Sequence, residues 1–182
     1  MDKNQQQHEQ GVTRLFSQAP ATGNQRNRNI PFQQPKAQSD FDQVVISTRR
    51  VAKVTKGRKR LRFTAVVAIG NKQGRVGIGI GRGGDPKLAI EKGGRNAKKN
   101  LISVVISKTT IPHNIDMKFK GAKIRLKPAK EGSGIIAGSC VRIIAELAGI
   151  KDLRGKILGS PNKTANAYAM INALSLLRDK RI

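Results

Sequence analysis

The apolar pattern of the chain begins at position 41, and in its first part apolar residues recur at the period of two that is typical of β-strands. The clearest case is Leu61–Ile69, in which every second residue is apolar, so one face of this strand is predicted to be buried. Phe41–Thr55, rich in Val, Ile and Thr, predicts a strand before it. After a turn at Asn71–Gly74, Arg75–Gly81 predicts a third strand, with its glycines on one face. We expect those glycines to permit close approach of a helix or of an RNA backbone.

A helix is predicted to follow these strands. Asp85 and Pro86 suit the N-cap and the first helical position, and the apolar spacing continues to about Ser103. The packing stripe would consist of Ala89 or Ile90, Gly93, Ala97 and Leu101. Residues 41–107 are therefore predicted to form a β-β-β-α domain.

A second small domain is predicted for residues 108–182, and the fold class is α+β. The predicted strands are Met117–Phe119, Lys123–Lys127 and the weaker Asp152–Leu158. One helix follows the glycine-rich loop at 131–134 and ends near Gly149, a residue type favoured just beyond a helix. Ser160 and Pro161 begin the last helix, and the order is β-β-α-β-α. The apolar side of that helix would consist of Ala167, Tyr168, Ile171, Leu174 and Leu177.

Residues 1–40 differ from the rest of the chain. They contain nine Gln, their net charge is only +2, and three prolines interrupt any regular element. We predict a disordered Gln-rich arm. Its arginines, Arg14, Arg26 and Arg28, could contact RNA phosphates, and a solvated tail without a fixed role is the alternative.

The charge of the chain indicates the class of partner. Lys and Arg number 36 and Asp and Glu 11, for a formal net charge of +25. Nucleic acid is the commonest partner of so basic a protein, whereas a membrane surface would require an amphipathic anchor. Neither a membrane-spanning run nor a secretory signal is apparent. Cys140 is the only cysteine, so a zinc site built on it and the two histidines would need carboxylates to complete it. No metal or cofactor is expected.

The densest charge lies in Arg49–Arg62, around the loop between the first two predicted strands. We assign to RNA Arg49, Arg50, Lys53, Lys56, Gly57, Arg58, Lys59, Arg60 and Arg62. A solvated basic hairpin is the alternative. Further RNA-binding positions are predicted at Arg75, Lys92, Arg95, Lys98, Lys99, Lys118, Lys120, Lys123, Arg125 and Lys127.

Aromatic residues are too few for a protein that reads single strands by stacking. The chain has five Phe and one Tyr, and only Phe63 lies near the basic loop, whereas single-strand readers stack bases on aromatic side chains. We therefore predict recognition of folded RNA through its shape and phosphates.

Two glycine loops offer an alternative function. Gly79–Gly84 matches G-x-G-x-x-G, and 132–137 matches its looser form with Asp152 twenty residues beyond Gly132. This pattern occurs in dinucleotide sites, but no serial βαβ array is predicted around it. Acidic residues and histidines show no spacing suited to acid–base catalysis, and no catalytic residue is assigned.

Four stretches in residues 41–182 resemble the bacterial form of the universal fifth protein of the small ribosomal subunit. They are Arg50–Arg58, Gly74–Gly81, Pro128–Gly138, and Gly159-Ser160 with Asn162. The resemblance implies a first domain similar to double-stranded RNA-binding folds and a structural, non-enzymatic role on the cytoplasmic ribosome. The family often has two successive glycines in the basic loop, whereas this chain has Gly57-Arg58, so the loop geometry and the response to spectinomycin are not carried over.

The same resemblance implies the partners. Members bind small-subunit ribosomal RNA, to which we assign Asn162 and Lys163 as well, and line the messenger RNA entry channel with ribosomal proteins three and four. They also contact protein eight, and their contact with protein four influences accuracy. The residues matching that contact are Gly132, Gly134 and Arg142. No homo-oligomer is expected. The rival hypotheses are a free RNA chaperone or regulatory RNA binder, and a nucleotide-using enzyme built on the glycine loops.

Overall fold

Residues 41–178, which the computed structural model describes, form two four-stranded sheets that pack with three helices. The predicted arm at 1–40 lies outside the described residues. Both sheets belong to one unit, and a domain boundary near residue 107 stays a prediction. None of the described helices is long and apolar enough to cross a membrane.

The first sheet is antiparallel throughout, in the order β1-β2-β3-β4. Its strands are β1 (Asp42–Thr55), β2 (Arg58–Gly70), β3 (Arg75–Gly83) and β4 (Leu101–Ser103). The three long strands confirm the alternation in the sequence. The Asn71 side chain accepts hydrogen bonds from the amides of Gln73 and Arg75 and closes the predicted turn.

Helix α1 spans Pro86–Lys99, with Asp85 as N-cap and Pro86 at the start, as predicted. The expected continuation to Ser103 is wrong. Leu101 and Ile102 pair with Gly77 and Val76 instead, because the edge of β3 offers unpaired backbone groups that a strand satisfies.

The glycines of β3 pack directly against α1. A Cβ atom on Gly79 would overlap with the Gly93 carbonyl, and one on Gly81 with the Ala89 carbonyl. Residues opposite them on β2, such as Val67, share a small core with Ala89 and Ala97. Of the two expected uses of these glycines, the structure shows close approach of a helix.

The second sheet has the order β5-β6-β8-β7. Its elements are β5 (Ile115–Phe119), β6 (Ala122–Pro128), β7 (Ile135–Ile136), α2 (Ser139–Ala148), β8 (Leu153–Ile157) and α3 (Lys163–Ser175). The predicted order lacked β7, which pairs parallel with β8. A strand of two residues has no detectable period, so only the partner strand reveals it.

Helix α3 is buried on more than its predicted side. Ala167 and Leu174 are buried as expected, but Ala165, Ala169 and Ala173 are buried as well. Leu177 is buried beyond the end of the helix. The main core joins residues from both sheets with α2 and α3, so these helices pack between the two halves of the chain.

Candidate nucleic-acid interface

The β1–β2 hairpin fixes which basic side chains lie together. In its antiparallel register, Lys53 lies opposite Arg60 and Thr55 opposite Arg58, and directly opposite residues share a face of a sheet. Gly57 turns the chain with φ +72°, and the Thr55 hydroxyl donates to the Arg58 carbonyl over 3.1 Å. The long strands thus extend the charged tip away from the core.

Five basic residues of the hairpin share the face turned away from α1. Arg82, on β3, joins them because it lies opposite Thr64. We call this set the hairpin basic face: Arg49, Lys53, Arg58, Arg60, Arg62 and Arg82, all exposed. Among the described residues, no acidic side chain forms an ion pair with it. Like charges on neighbouring strands repel, so this face favours binding of a polyanion.

The sequence-predicted residues Arg50 and Lys59 lie on the opposite face of the hairpin, and Lys56 lies in the turn. All three are exposed. An open cavity of about 610 Å³ extends from Arg58–Arg62 past Arg82 to Lys92 on α1. It joins the hairpin and the middle of α1 in one concave, basic surface.

The other basic residues of α1 differ in their partners. Lys98 and Lys99 are exposed in the last turn, whereas Arg95 donates to Glu91 over 2.6 Å. That pairing reduces the charge that Arg95 offers to RNA. Arg75 is exposed at the start of β3, at the end of the sheet opposite the hairpin tip, so the structure does not bring it to this surface.

A second basic surface covers the face of the second sheet that α2 and α3 leave uncovered. Its exposed basic residues, the second-sheet basic face, are Lys118, Lys123, Arg125, Lys127, Arg154 and Lys156. The first four were predicted to point outward; Arg154 and Lys156 were missed because β8 has a weak pattern. Arg125 donates to both carboxylate oxygens of Asp116, at 2.7–3.0 Å, and this hydrogen bonding lowers the pKa of Asp116 and raises the pKa of Arg125.

Lys120 lies in the turn between β5 and β6. Its φ is +52°, and its ammonium group lies 5.8 Å from the centre of the Phe119 ring. Phe119 in turn packs on Tyr168, with ring centres 5.6 Å apart. These aromatic rings stabilise the interior and do not form a stacking platform.

Asn162 has a structural role that the sequence did not predict. Its side chain caps α3 by accepting a hydrogen bond from the Thr164 amide over 3.2 Å. Lys163 is exposed beside it, and its carbonyl accepts from the Cys140 thiol. Binding of RNA by Asn162 and Lys163 stays a prediction.

The three residues assigned to a protein contact flank β7. Gly132 and Gly134 have φ of +82° and +69°, and a Cβ atom on either would meet open space. Arg142, on α2, donates to the Ile135 carbonyl over 3.0 Å. Buried Asp152 holds the loop from within by accepting from the Gly134 amide at 2.8 Å. The neighbouring Thr109 hydroxyl and the hydrogen bond from the Gly134 amide lower the pKa of Asp152.

These contacts argue against the nucleotide alternative. Gly79 and Gly81 already pack against α1, so no pyrophosphate can approach them. Asp152, which would have to bind a ribose, is 3% exposed and bonded to the loop. Within 41–178, no group of three metal-binding side chains occurs. Burial raises the pKa of Cys140 to about 11, as for a structural thiol.

Both halves of the chain match one family. Residues 41–105 match the N-terminal domain of ribosomal protein S5, and residues 117–181 match its C-terminal domain. The chain belongs to the ribosomal protein S5 family.

Individual S5 proteins agree with this assignment. The small ribosomal subunit protein uS5 of Trichormus variabilis is 46% identical over 144 residues, covering 79% of this chain and 83% of the relative. The uS5 protein of Thermus thermophilus is 45% identical over 143 residues, which cover 79% of this chain and 88% of the relative. The uS5c protein of Emiliania huxleyi is 46% identical over 140 residues, which cover 76% of this chain and 88% of the relative.

Membership of the S5 family confirms several predictions. The chain is a structural constituent of the small ribosomal subunit and not an enzyme. Its general role in RNA binding and translation and its place on the cytoplasmic ribosome follow from the same relatives.

Proposed function

We propose that this S5 protein holds folded small-subunit ribosomal RNA with the hairpin basic face and the neighbouring residues of α1. In the same proposal the protein lines the messenger RNA entry channel. The loop with Gly132 and Gly134, together with Arg142, contacts ribosomal protein four and influences accuracy. Ribosomal proteins three and eight are its other neighbours.

The observation that carries the RNA contact is the hairpin basic face itself. Six cationic side chains share one face without an acidic partner among the described residues. The tip is far from the core, so it can enter a groove or junction between RNA helices. Each phosphate contact steepens the fall of the logarithm of the binding constant with the logarithm of the salt concentration by about 0.7–0.9.

Two features support the contact with protein four. Asp152 fixes the loop through the Gly134 amide, whereas the space outside Gly132 and Gly134 is open. The Arg142 side chain is 56% exposed and only loosely paired with Glu146, at 3.6 Å. A rigid loop with an open outer surface is suited to a defined protein contact, because little order is lost on binding.

The hairpin assignment is tested by replacing Arg58, Arg60 and Arg62 of the hairpin basic face together with Ala. The matched control replaces Lys108, Lys130 and Lys151, which are exposed and outside the predicted set. We expect the first variant, and not the control, to reduce incorporation into small subunits in a sucrose gradient. Equal incorporation of both variants would contradict the proposal.

The accuracy role is tested separately with Arg142→Ala in assembled subunits. We expect a change in misreading of a near-cognate codon in a reporter, with normal subunit yield. Lys151→Ala serves as the control. Unchanged misreading in Arg142→Ala would remove the proposed link to accuracy while leaving the RNA contact standing.

A further inference from the structure

The second-sheet basic face contains two apolar side chains that no described element covers. Ile136 is 58% exposed and Leu158 is 50% exposed. They line an open groove of about 480 Å³ together with Arg125, Lys127, Arg154 and Lys156. A second depression, of about 360 Å³, continues from Ile136 past Ala137 to Ile157.

Two apolar side chains lie among the basic residues of this exposed sheet face. Along β6 the buried and exposed residues alternate cleanly, as expected when one face is packed and the other solvated. Ile136, on the edge strand β7, and Leu158, just beyond the end of β8, add apolar side chains to this basic surface. A contiguous apolar surface that is rimmed by polar residues marks an interaction site, and these two side chains line one groove.

The charges around the groove define the chemistry of its occupant. Lys127, Arg154 and Lys156 form no ion pair with any acidic residue in 41–178, and Arg125 alone is paired, with Asp116. The groove therefore has an apolar floor and a cationic rim. An acidic chain with apolar side chains at intervals complements both.

RNA complements the rim but not the floor. Phosphate contacts gain nothing from Ile136 and Leu158, and single-stranded bases bind chiefly by stacking on aromatic rings. The aromatic rings of Phe119 and Tyr168 pack against each other on the face of the second sheet that the helices cover. The groove offers neither ring to a base.

We propose that this groove binds an acidic protein segment that inserts an apolar side chain between Ile136 and Leu158. This gives Arg125 and Lys127 a protein partner in place of the RNA that the sequence predicted. The inference is independent of the hairpin contacts with RNA. In this proposal the cationic rim attracts the acidic segment, and the apolar floor selects a segment that carries an apolar side chain.

The test uses the full chain and two labelled twelve-residue peptides of Asp and Glu, one with two leucines and the other with serines in their place. We expect the leucine peptide to bind about tenfold tighter, the size of effect that burial of apolar side chains produces. Replacing Ile136 and Leu158 with Ser should abolish that difference. Replacing Val54 and Leu61, which are 69% and 50% exposed on the hairpin, should not.

The rim is tested with the double variant Arg154→Glu and Lys156→Glu. Its control is Lys130→Glu with Lys151→Glu, which changes the net charge by the same amount. Only the first double variant should weaken binding of the leucine peptide by more than this change in net charge explains. Equal binding of the two peptides to the unmodified chain would overturn the proposal, and that comparison needs no variant to fold. An oligouridine strand that loses affinity in the Ile136 and Leu158 variant, with no change for the leucine peptide, would assign the groove to RNA.

Discussion

The backbone amide of Lys72 donates a hydrogen bond of 3.0 Å to the carbonyl oxygen of Leu147, so a turn of the first sheet meets the end of α2. A second bond, of 2.9 Å, joins the Gly74 amide to the Ala148 carbonyl. The last carbonyls of a helix have no partner within it, and here the turn supplies one. Lys72 also forms an ion pair with Asp42 on β1 at 2.7 Å. The first sheet and the second half of the chain are thereby joined through backbone groups.

Replacing Gly149 with Ala should weaken this junction. Gly149 has φ +92°, and a Cβ atom there would overlap with the Lys72 carbonyl. We expect a loss of about 3 kcal/mol in the free energy of unfolding, because strain and overlap add. Gly132→Ala is the control, since its φ is also positive but its surroundings are open, and about 1 kcal/mol is expected. Equal losses in urea unfolding would show that the junction is unimportant.

The contact between β3 and α1 should be intolerant of a methyl group. Gly81→Ala would push the Ala89 carbonyl and the Gly93 amide away from β3. We expect a loss of about 2–3 kcal/mol, measured by urea unfolding. Gly84→Ala, where the added atom meets open space, should change stability by less than about 0.5 kcal/mol. A tolerant Gly81 would mean that α1 does not pack as described.

Asp152 should make stability depend on pH at the acidic end. Its pKa is lowered in the folded chain by the Thr109 side chain and the Gly134 amide. The stabilisation is therefore complete above the unfolded pKa, about 3.9, and disappears as pH falls through the lower folded pKa. Asp152→Asn should unfold more easily than the unmodified chain at pH 7, and the difference should shrink as pH falls below about 4. Glu131→Gln, on the exposed part of the same loop, is the control; a difference independent of pH would contradict the role of the charge.

Arg82 should contribute to RNA binding although no motif marks it. It shares the hairpin basic face and lines the cavity of about 610 Å³ beside it. Arg82→Ala should reduce the salt slope of binding to small-subunit ribosomal RNA by about 0.7–0.9. Arg75→Ala, at the opposite end of the sheet, should leave the slope of the hairpin interaction unchanged. Equal effects of the two substitutions would indicate that only net charge matters.

The long strands and the position of the basic tip could be predicted from the sequence, because alternation over nine or more residues leaves one interpretation. Strands β4 and β7 could not, since three and two residues carry no period and their pairing depends on a distant edge. The end of α1 was predicted wrongly for the same reason, since β4 occupies the residues that were expected to continue the helix.

The candidate sites divide in a similar way. The density of charge identified the hairpin directly. Its register was needed to separate Arg50 and Lys59 from the hairpin basic face and to add Arg82. The second-sheet basic face gained Arg154 and Lys156 only when β8 was placed beside β6. The capping role of Asn162 depends on where α3 begins, which the sequence put two residues too early.

The central claim, that this S5 protein is held in the small subunit by its contacts with RNA, is tested most directly in a sucrose gradient. The native protein is followed in the presence of magnesium before and after a high-salt wash. We predict about one copy in the small-subunit peak before the wash, and release that becomes easier when the hairpin basic face is neutralised. A protein found mostly at the top of the gradient before any wash would contradict the account and favour a free RNA binder.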